Sequence, residues 1–370
     1  MKQEQILVIV PRDGTMEINL RLKKVLEYAL EDRAIRQIRT AEELEAYFDT
    51  DSLPLRRILF AVSLGDSGLN FEYYRILRWL RENPGVLKNC VGGIVVDGTS
   101  ELYTKSVARE LVFTANCAGC TFVGRPLVEG TGSLANFAIV AQNMETDHFT
   151  AYQKSAALLV EEILSFEHTM KEHPNLLVLH ASSHKSSNTF AVWSAVKEYL
   201  TGLEITEIGL RNGTLSDCAG CPYKMCLHFG EQGSCFYGGV MVEDVYPAVR
   251  RADAIMMLCP NYNDALSANL TAFINRLTAL FRTTRFYDKA LFAVVVSGYS
   301  GSDIVAEQLI AALNMNKTFY LPGQFAMMET ANNAGTAMNL PGIEQRIEEF
   351  AARIRNTLCE SAREGGERTE

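Results

Sequence analysis

The chain has 370 residues, enough for two ordinary domains that each bury a hydrophobic core. Hydrophobic residues make up 48% of the sequence and charged residues 21%, and the net charge of -9 excludes the basic surface typical of nucleic-acid binding. The longest apolar runs have the length of a β-strand and are too short to span a bilayer. We therefore expect a globular protein with no nucleic-acid or membrane partner. Because no signal peptide is visible, we also expect a cytoplasmic location.

Short β-rich apolar runs alternate with longer amphipathic stretches along the whole chain. In the first half, the pattern predicts strands at residues 6–10, 57–62, 93–96 and 121–123, and helices at 18–30, 71–82 and 104–114. In the second half, it predicts strands at 176–179, 254–258, 291–296 and 318–321, and helices at 189–200, 268–281 and 304–313. This alternation is typical of βαβ units, so the predicted fold class is α/β with parallel sheets.

The two halves also share residue identities at corresponding positions. The run Val95-Val-Asp-Gly98 corresponds to Val295-Val-Ser-Gly298, and similar matches precede and follow it. Tandem duplication explains these identities better than a shared strand–helix order alone. We predict domains at residues 1–150 and 174–358, a helical linker at 151–173 and a flexible tail at 359–370. The second domain carries an insertion at residues 217–238 that the first lacks.

A polar loop follows the first predicted strand of the second half and leads into a helix. It reads His180-Ala-Ser-Ser-His-Lys-Ser-Ser-Asn-Thr189. Hydroxyl groups, backbone N–H groups and the positive end of a helix would converge there, an arrangement suited to a phosphate monoester. A polar turn with a good helix cap explains the loop equally well on its own.

Two further loops follow the next strands along the chain. One begins Cys259-Pro-Asn-Tyr-Asn-Asp264, and the other reads Ser297-Gly-Tyr-Ser-Gly301. All three loops sit at the carboxyl ends of parallel strands, where open α/β sheets bind ligands. Together they resemble the flavodoxin-like NADPH-dependent FMN reductase and iron–sulfur flavoprotein family over residues 176–351. The resemblance implies two tandem flavodoxin-like, three-layer αβα domains, with a degenerate copy in the first half.

This resemblance also implies a set of cofactor-binding residues in the second half. The residues expected to hold the FMN phosphate are Ser182, His184, Ser187, Asn188 and Thr189. Those expected to flank the ring and the ribityl chain are Pro260, Asn261, Tyr262, Asn263, Asp264, Ser297, Gly298, Tyr299 and Gly301. Two departures reduce the positive charge and flexibility expected opposite the phosphate, because Ala181 replaces the usual glycine and His184 the usual arginine.

Four of the nine cysteines are clustered within the insertion. They are Cys218, Cys221, Cys226 and Cys235. In a reducing compartment such spacing favours metal binding or redox use over disulfides. Three alternatives stay open: a four-iron cluster that passes electrons to the flavin, free thiols packed beside it, or structural zinc. A further pair, Cys117 and Cys120, is better explained as part of a glycine-containing helix C-cap.

The first half keeps the strand order but not the phosphate loop. The corresponding segment, Pro11-Arg-Asp-Gly-Thr-Met-Glu17, has one hydroxyl group and two carboxylates that would repel a phosphate dianion. We therefore predict that this domain lacks a cofactor. Since flavodoxin-like reductases commonly dimerise near the flavin, the tandem chain is expected to form an internal pseudo-dimer or a homodimer.

The leading functional hypothesis is an FMN-dependent NAD(P)H oxidoreductase. Electrons would pass from the nicotinamide through bound FMN to a quinone, a flavin, a metal ion or another small acceptor, and no side chain is assigned as a catalytic acid or base. One alternative is an electron-transfer flavoprotein, with or without an iron–sulfur cluster, that works with a protein partner. Another is a flavin-free, non-enzymatic flavodoxin-like scaffold.

Overall fold

A computed structural model describes residues 5–12, 19–49, 56–182 and 187–360 of the chain. The chain divides into two compact units. The first contains Met1–Glu167 together with Leu309–Phe325, and the second contains His168–Gln308 together with Ala326–Glu370. Within the described residues, no helix has the length and apolar character required to cross a membrane.

The first unit contains a parallel five-stranded sheet in the order β2-β1-β3-β4-β5. Its strands are β1 (Ile6–Ile9), β2 (Ile35–Ile38), β3 (Arg57–Leu64), β4 (Val91–Gly98) and β5 (Thr121–Gly130). The helices in this half are α1 (Leu20–Ala29), α2 (Ala41–Phe48), α3 (Phe71–Glu82), α4 (Thr104–Cys117), α5 (Ala138–Asn143) and α6 (His148–Ser165). Residues of α1, α6 and one face of the sheet share a hydrophobic core, which fixes the helical layer on that face.

The second unit contains a parallel sheet with the equivalent order, β10-β9-β8-β6-β7. Its strands are β6 (Asn175–His180), β7 (Glu204–Gly209), β8 (Ala254–Pro260), β9 (Ala290–Ser297) and β10 (Ala326–Thr330). The helices in this half are α7 (Asn188–Glu198), α8 (Tyr223–Glu231), α9 (Tyr246–Arg251), α10 (Ala268–Phe281), α11 (Ser302–Leu309) and α12 (Ile343–Leu358). Both sheets follow the flavodoxin-like order, so the predicted fold class is confirmed.

The last strand of the second sheet differs from the one predicted. Residues 318–321 were expected to form it, but β10 spans Ala326–Thr330 and pairs with β9. Residues 318–321 belong to the first unit, where Leu321 forms an isolated antiparallel bridge with Phe122 of β5. Their apolar side chains are buried there against another element, which explains why the sequence pattern resembles a core strand.

The sequence pattern did not predict two of the strands. Both β2 and β7 lie at the outer edge of their sheets, and most of their residues are exposed or only half-buried. Edge strands face water along much of their length, so they lack the continuous apolar run that marks a central strand such as β9. The complete sheets therefore have five strands each rather than the four predicted.

Candidate functional site

Four loops of the second unit meet at the carboxyl edge of its sheet. They follow β6, β8, β9 and β10, and hydrogen bonds connect them. Asn188, at the start of α7, donates from its Nδ2 to the carbonyl oxygens of Ala331 and Asn333. Its Oδ1 accepts the backbone N–H of Ala337. The side chain of Asn188 therefore holds the loop after β10 in place, and its polar atoms are already used within the protein.

The rest of the predicted phosphate loop surrounds the start of α7. Ser187 is the N-cap of this helix, and its hydroxyl oxygen accepts the backbone N–H of Phe190. Thr189, in the first turn, is buried, and Ser182 lies just after β6. A helix N-terminus presents unpaired N–H groups and a positive dipole to an anion. His184 lies outside the described residues.

His180, at the end of β6, supports the start of this loop. Its Nδ1 lies 3.2 Å from the carbonyl oxygen of Ser182, and since a carbonyl only accepts, Nδ1 must carry the proton. Burial lowers the pKa of His180, so the ring is neutral at neutral pH. It orients the loop and does not supply a positive charge for a phosphate.

The loop after β8 contains a tight turn. Tyr262 and Ala265 exchange backbone hydrogen bonds, and Asn263 and Asp264 between them have φ values of 55° and 56°. Positive φ at both central residues is the type I′ geometry, which Asn and Asp tolerate better than most residues. Tyr262 stays 58% exposed beside this turn, so its ring is available to a ligand.

A polar network joins the loops after β8 and β9. Nδ2 of Asn261 donates to the carboxylate of Asp264 at 3.2 Å and to Oγ of Ser297 at 3.0 Å. Ser297 is fully buried, and its Oγ lies 2.7 Å from that of Ser302. Gly301 has a φ of +87°, and a Cβ there would lie 2.9 Å from Nδ2 of Asn261. The network thus requires glycine at position 301.

The remaining predicted ring-contacting residues lie around this network. Pro260 is the last residue of β8, and Gly298 follows β9 directly. A Cβ on Gly298 would lie 3.2 Å from Oδ1 of Asn332, so the side chain of Asn332 packs closely against the backbone at Gly298. Tyr299 is 80% exposed, and its hydroxyl accepts a hydrogen bond from Asn332. The structure therefore brings the three predicted loops to one edge of the sheet.

One acceptor atom of this network has no hydrogen-bond donor. Oδ1 of Asn261 is buried and receives no hydrogen bond from any described residue. Buried acceptors in folded proteins are nearly always satisfied, so the position calls for a donor from a ligand or solvent. The isoalloxazine ring of FMN carries an N–H group that could supply it, and two exposed tyrosines flank the position. These residues fit a flavin.

The four cysteines of the insertion line one cavity of about 170 Å³. Cys218 is exposed, and the other three are half-buried free thiols. Aromatic side chains share the cavity wall, and α8, which carries Cys226, packs closely against α10. A Cβ on Gly230 of α8 would lie 2.6 Å from the carbonyl oxygen of Ala279 on α10, so this contact requires glycine. The insertion is thus a packed element with its thiols gathered at one place.

The fit of this cavity to a metal centre is poor. Among the residues that the structure describes, no three cysteine, histidine or carboxylate side chains are arranged to hold a metal ion. Arg276 also lines the cavity; it is only 2% exposed, and its buried Nε has no hydrogen-bond partner within the described ranges. The arrangement gives no support to an iron–sulfur cluster, and metal binding by the four cysteines stays a prediction.

The second cysteine pair belongs to a helix end, as predicted. Cys117 is the last residue of α4, and Gly119 follows with a φ of +106°. The N–H of Gly119 donates to the carbonyl oxygen of Asn116, and that of Cys120 donates to Ala115. Burial raises the pKa of the Cys120 thiol, which disfavours a reactive thiolate. The helix C-cap interpretation is confirmed.

Sequence reasoning missed an ion pair at the corresponding edge of the first unit. Asp97, near the end of β4, is fully buried, and its Oδ2 accepts from Nε of Arg21 at 2.8 Å. Nη2 of Arg21 also donates to the carbonyl oxygen of Gly98 at 2.8 Å, and Nδ2 of Asn19 donates to Asp97. These partners are 76 to 78 residues apart in the chain, so no local sequence pattern predicts their contacts.

Comparison with protein families gives a match in the second half of the chain. Residues 174–333 match the family described as NADPH-dependent FMN reductase. The C-terminal half therefore carries an NADPH-dependent FMN reductase domain. This match confirms the resemblance for the C-terminal half, over the matched residues. No curated protein sequence matches the chain.

Several solved structures resemble about half of the chain. An FMN-dependent NADH-azoreductase from Bacillus anthracis is 13% identical, with a TM-score of 0.36, and the match covers 49% of this chain and 99% of that one. An NAD(P)H:quinone oxidoreductase from Methanothermobacter marburgensis is 16% identical, with a TM-score of 0.35 and coverages of 50% and 96%. RosB, bound to 8-demethyl-8-formylriboflavin-5'-phosphate, is 14% identical, with a TM-score of 0.37 and coverages of 48% and 76%.

Proposed function

We propose that this protein is an FMN-dependent NAD(P)H oxidoreductase whose active site lies at the carboxyl edge of the second sheet. It would take electrons from a nicotinamide and deliver them to a small acceptor such as a quinone, a flavin or a metal ion. The observation that carries the proposal is the Asn261 network with its unused buried acceptor. This network lies within the segment that matches the reductase family.

The residues at this edge divide into two groups by role. Ser182, Ser187 and the first turn of α7 would bind the flavin phosphate through hydroxyl and backbone N–H groups. Asn261, Asp264 and Ser297 would orient the ring by hydrogen bonds, and the exposed tyrosines would limit the access of water. FMN, when bound, supplies hydride acceptance and electron transfer, so the protein needs no catalytic acid or base.

The direct test measures flavin uptake and reduction by the purified chain. We expect bound flavin absorbance that NADH or NADPH bleaches without oxygen. Asn261→Ala should weaken FMN binding by roughly tenfold, because one buried hydrogen-bond partner of the ring is lost. Asn316→Ala is the matched control, since that exposed side chain lies in the first unit. A colourless protein that takes up no FMN would contradict the proposal and favour the non-enzymatic scaffold.

A second candidate function is electron exchange with a protein partner. The cavity lined by four cysteines and the buried Arg276 favours it, because thiols beside a buried cation can serve redox chemistry. Iron and zinc analysis of the protein, with Cys221→Ser as a comparison, tests this use of the insertion. Flavin that neither nicotinamide reduces would favour the carrier, while rapid bleaching favours the reductase.

We also propose that the two halves arose by duplication and form an internal pseudo-dimer in place of a homodimer. The equivalent strand orders and the matching residues around Asp97 and Ser297 support this. Light scattering of the intact chain should then give the mass of a monomer, 41.1 kDa. A stable dimer would instead favour the homodimer alternative.

A further inference from the structure

The first unit contains a cavity of about 440 Å³ at the carboxyl end of its sheet. The described residues that line it come from β1, β2, α1 and the loop after β3. In the sheet order, β1 and β3 are neighbours, and the chain changes direction between them. Open α/β sheets bind ligands at this topological switch point. The volume also falls within the range of roughly 300–1,000 Å³ that is usual for small-molecule sites.

The described residues around this cavity carry an excess of positive charge. Among these residues, Arg12, Lys23 and Arg39 line it together with a single carboxylate, Glu27, which leaves two positive charges in excess there. Glu27 lies 4.0 Å from Lys23 and partly compensates it, so the excess is concentrated on the two arginines. Nε of Arg12 is buried and has no hydrogen-bond partner among the described residues. An unpaired buried donor beside a cationic surface calls for an acceptor with negative charge.

The two arginines are held next to each other by the sheet. The backbone N–H of Arg12 donates to the carbonyl oxygen of Arg39 at 3.0 Å, which joins the ends of β1 and β2. Asn70, only 5% exposed, donates from Nδ2 to the carbonyl oxygens of Pro11 and Ser63, which joins the ends of β1 and β3. The walls are therefore fixed before any ligand enters, and this reduces the entropy lost on binding.

Much of the remaining lining is apolar. It includes Val8 of β1 with Val10 just after it, and Leu26 of α1 with Leu30 just after that helix, all at most 9% exposed. Ile35 of β2 closes one side and is 48% exposed, so an apolar surface is open to a ligand there. A cavity with a cationic end and an apolar body is complementary to a ligand that has an anionic group on an apolar body.

We propose that the first unit binds a small organic monoanion, a carboxylate on an apolar body, with the oxyanion between Arg12 and Arg39. This site is separate from the flavin site of the second unit and does not depend on it. It gives the first unit, which we predict to lack FMN, a binding function of its own.

Calorimetry on the intact chain, with its flavin site filled by one equivalent of FMN, tests the proposal. The probes are 1-naphthyl phosphate, 1-naphthoate and the uncharged 1-naphthamide. We expect 1-naphthoate to bind and the amide not to, and we expect 1-naphthyl phosphate to bind more weakly than 1-naphthoate because the carboxylates of the 11–17 segment disfavour a dianion. Arg12→Gln and Arg39→Gln should each weaken binding about tenfold, since each loses a charge-assisted hydrogen bond. Arg36→Gln is the matched control, because Arg36 is exposed on β2 and does not line the cavity.

A second variant separates the apolar part of the site from its charge. Ile35→Trp should fill the open side and abolish binding while both arginines remain, and an exposed edge position tolerates the larger side chain. Circular dichroism checks that the variants fold. The proposal is overturned if 1-naphthoate does not bind, if Arg39→Gln binds it as the wild type does, or if inorganic phosphate binds as tightly as 1-naphthoate.

Discussion

The carboxyl ends of β4 and β9 occupy equivalent places in the two sheets, and they differ in chemistry. In the first unit Asp97 forms an ion pair with Arg21, whose guanidinium also donates to backbone carbonyl oxygens. In the second unit Ser297 belongs to a neutral network with Asn261, and one buried acceptor of that network is unused. At the first end, the Asp97 carboxylate is paired with Arg21 and Asn19, whereas the second end leaves an acceptor for a ligand.

This difference suggests how one fold can keep or lose a cofactor. An arginine that reaches across the strand ends uses the acceptors that a flavin would otherwise meet, and it fills the space above them. The pair is costly to bury, since burial raises the pKa of Asp97 despite the opposing effect of Arg21. The hydrogen bonds of Arg21 to the loop carbonyls offset this cost, so we infer that the pair maintains the closed edge of the first unit.

Removing the cation should have the largest effect on stability. Arg21→Met leaves Asp97 buried without its partner, which we expect to cost the first unit about 3 kcal/mol. Urea denaturation followed by circular dichroism measures the loss, and Lys24→Met, an exposed change on the same helix, is the control. FMN binding to the second unit should be unchanged. Equal stability of both variants would show that the ion pair does not maintain the closed edge.

The same variant has a defined pH dependence. Burial raises the pKa of Asp97, so the folded state binds the proton more tightly than the unfolded state does. Stability is then retained at low pH and lost as the pH rises through the folded-state pKa. Without Arg21 this loss should grow, so the variant should recover part of its stability at pH values where Asp97 is protonated. An unchanged difference across pH would contradict this account.

The comparison also shows what sequence patterns can and cannot predict. Buried central strands such as β9 were predicted because every residue in them is apolar or small, and the loop after each follows from its position. The three loops that we predict to bind the flavin were located in this way. The edge strand β7 was missed because alternating polar residues such as Glu204 and Glu207 are exposed there.

Contacts between distant residues explain the other failures. Arg21 and Asp97 are 76 residues apart, and Asn188 contacts loop residues 143 and 145 positions away. Residues 318–321 have the composition of a core strand, but Leu321 bridges to Phe122 within the first unit, and β9 pairs with residues 326–330 instead. The periodicity of hydrophobic residues identifies which residues are buried. It does not identify the residues against which they pack.

A smaller expected effect concerns the open edge of the second unit. Gly301 and Gly202 have φ values of +87° and +86°, so alanine strains the backbone equally at both. Only at Gly301 would the new Cβ overlap Asp264 and crowd Asn261; at Gly202 nothing lies within 4 Å. Gly301→Ala should therefore weaken FMN binding by roughly tenfold beyond any effect of Gly202→Ala, since the loop must shift. If Gly301→Ala and Gly202→Ala bound FMN with equal affinity, measured by flavin fluorescence, this loop would not contribute to cofactor binding.

The smallest expected effect concerns Glu162, a half-buried carboxylate on α6 of the first unit. Burial raises the pKa of Glu162 on α6 from 4.5 to about 7. The folded state therefore binds the proton more tightly, and stability is lost as the pH rises through 7. Glu162→Gln removes this loss, so its melting temperature should exceed that of the wild type at pH 8 and match it at pH 5. Glu31→Gln, an exposed change in the same unit, should shift neither value. If the advantage of the variant were equal at both pH values, ionisation of Glu162 would not be its cause.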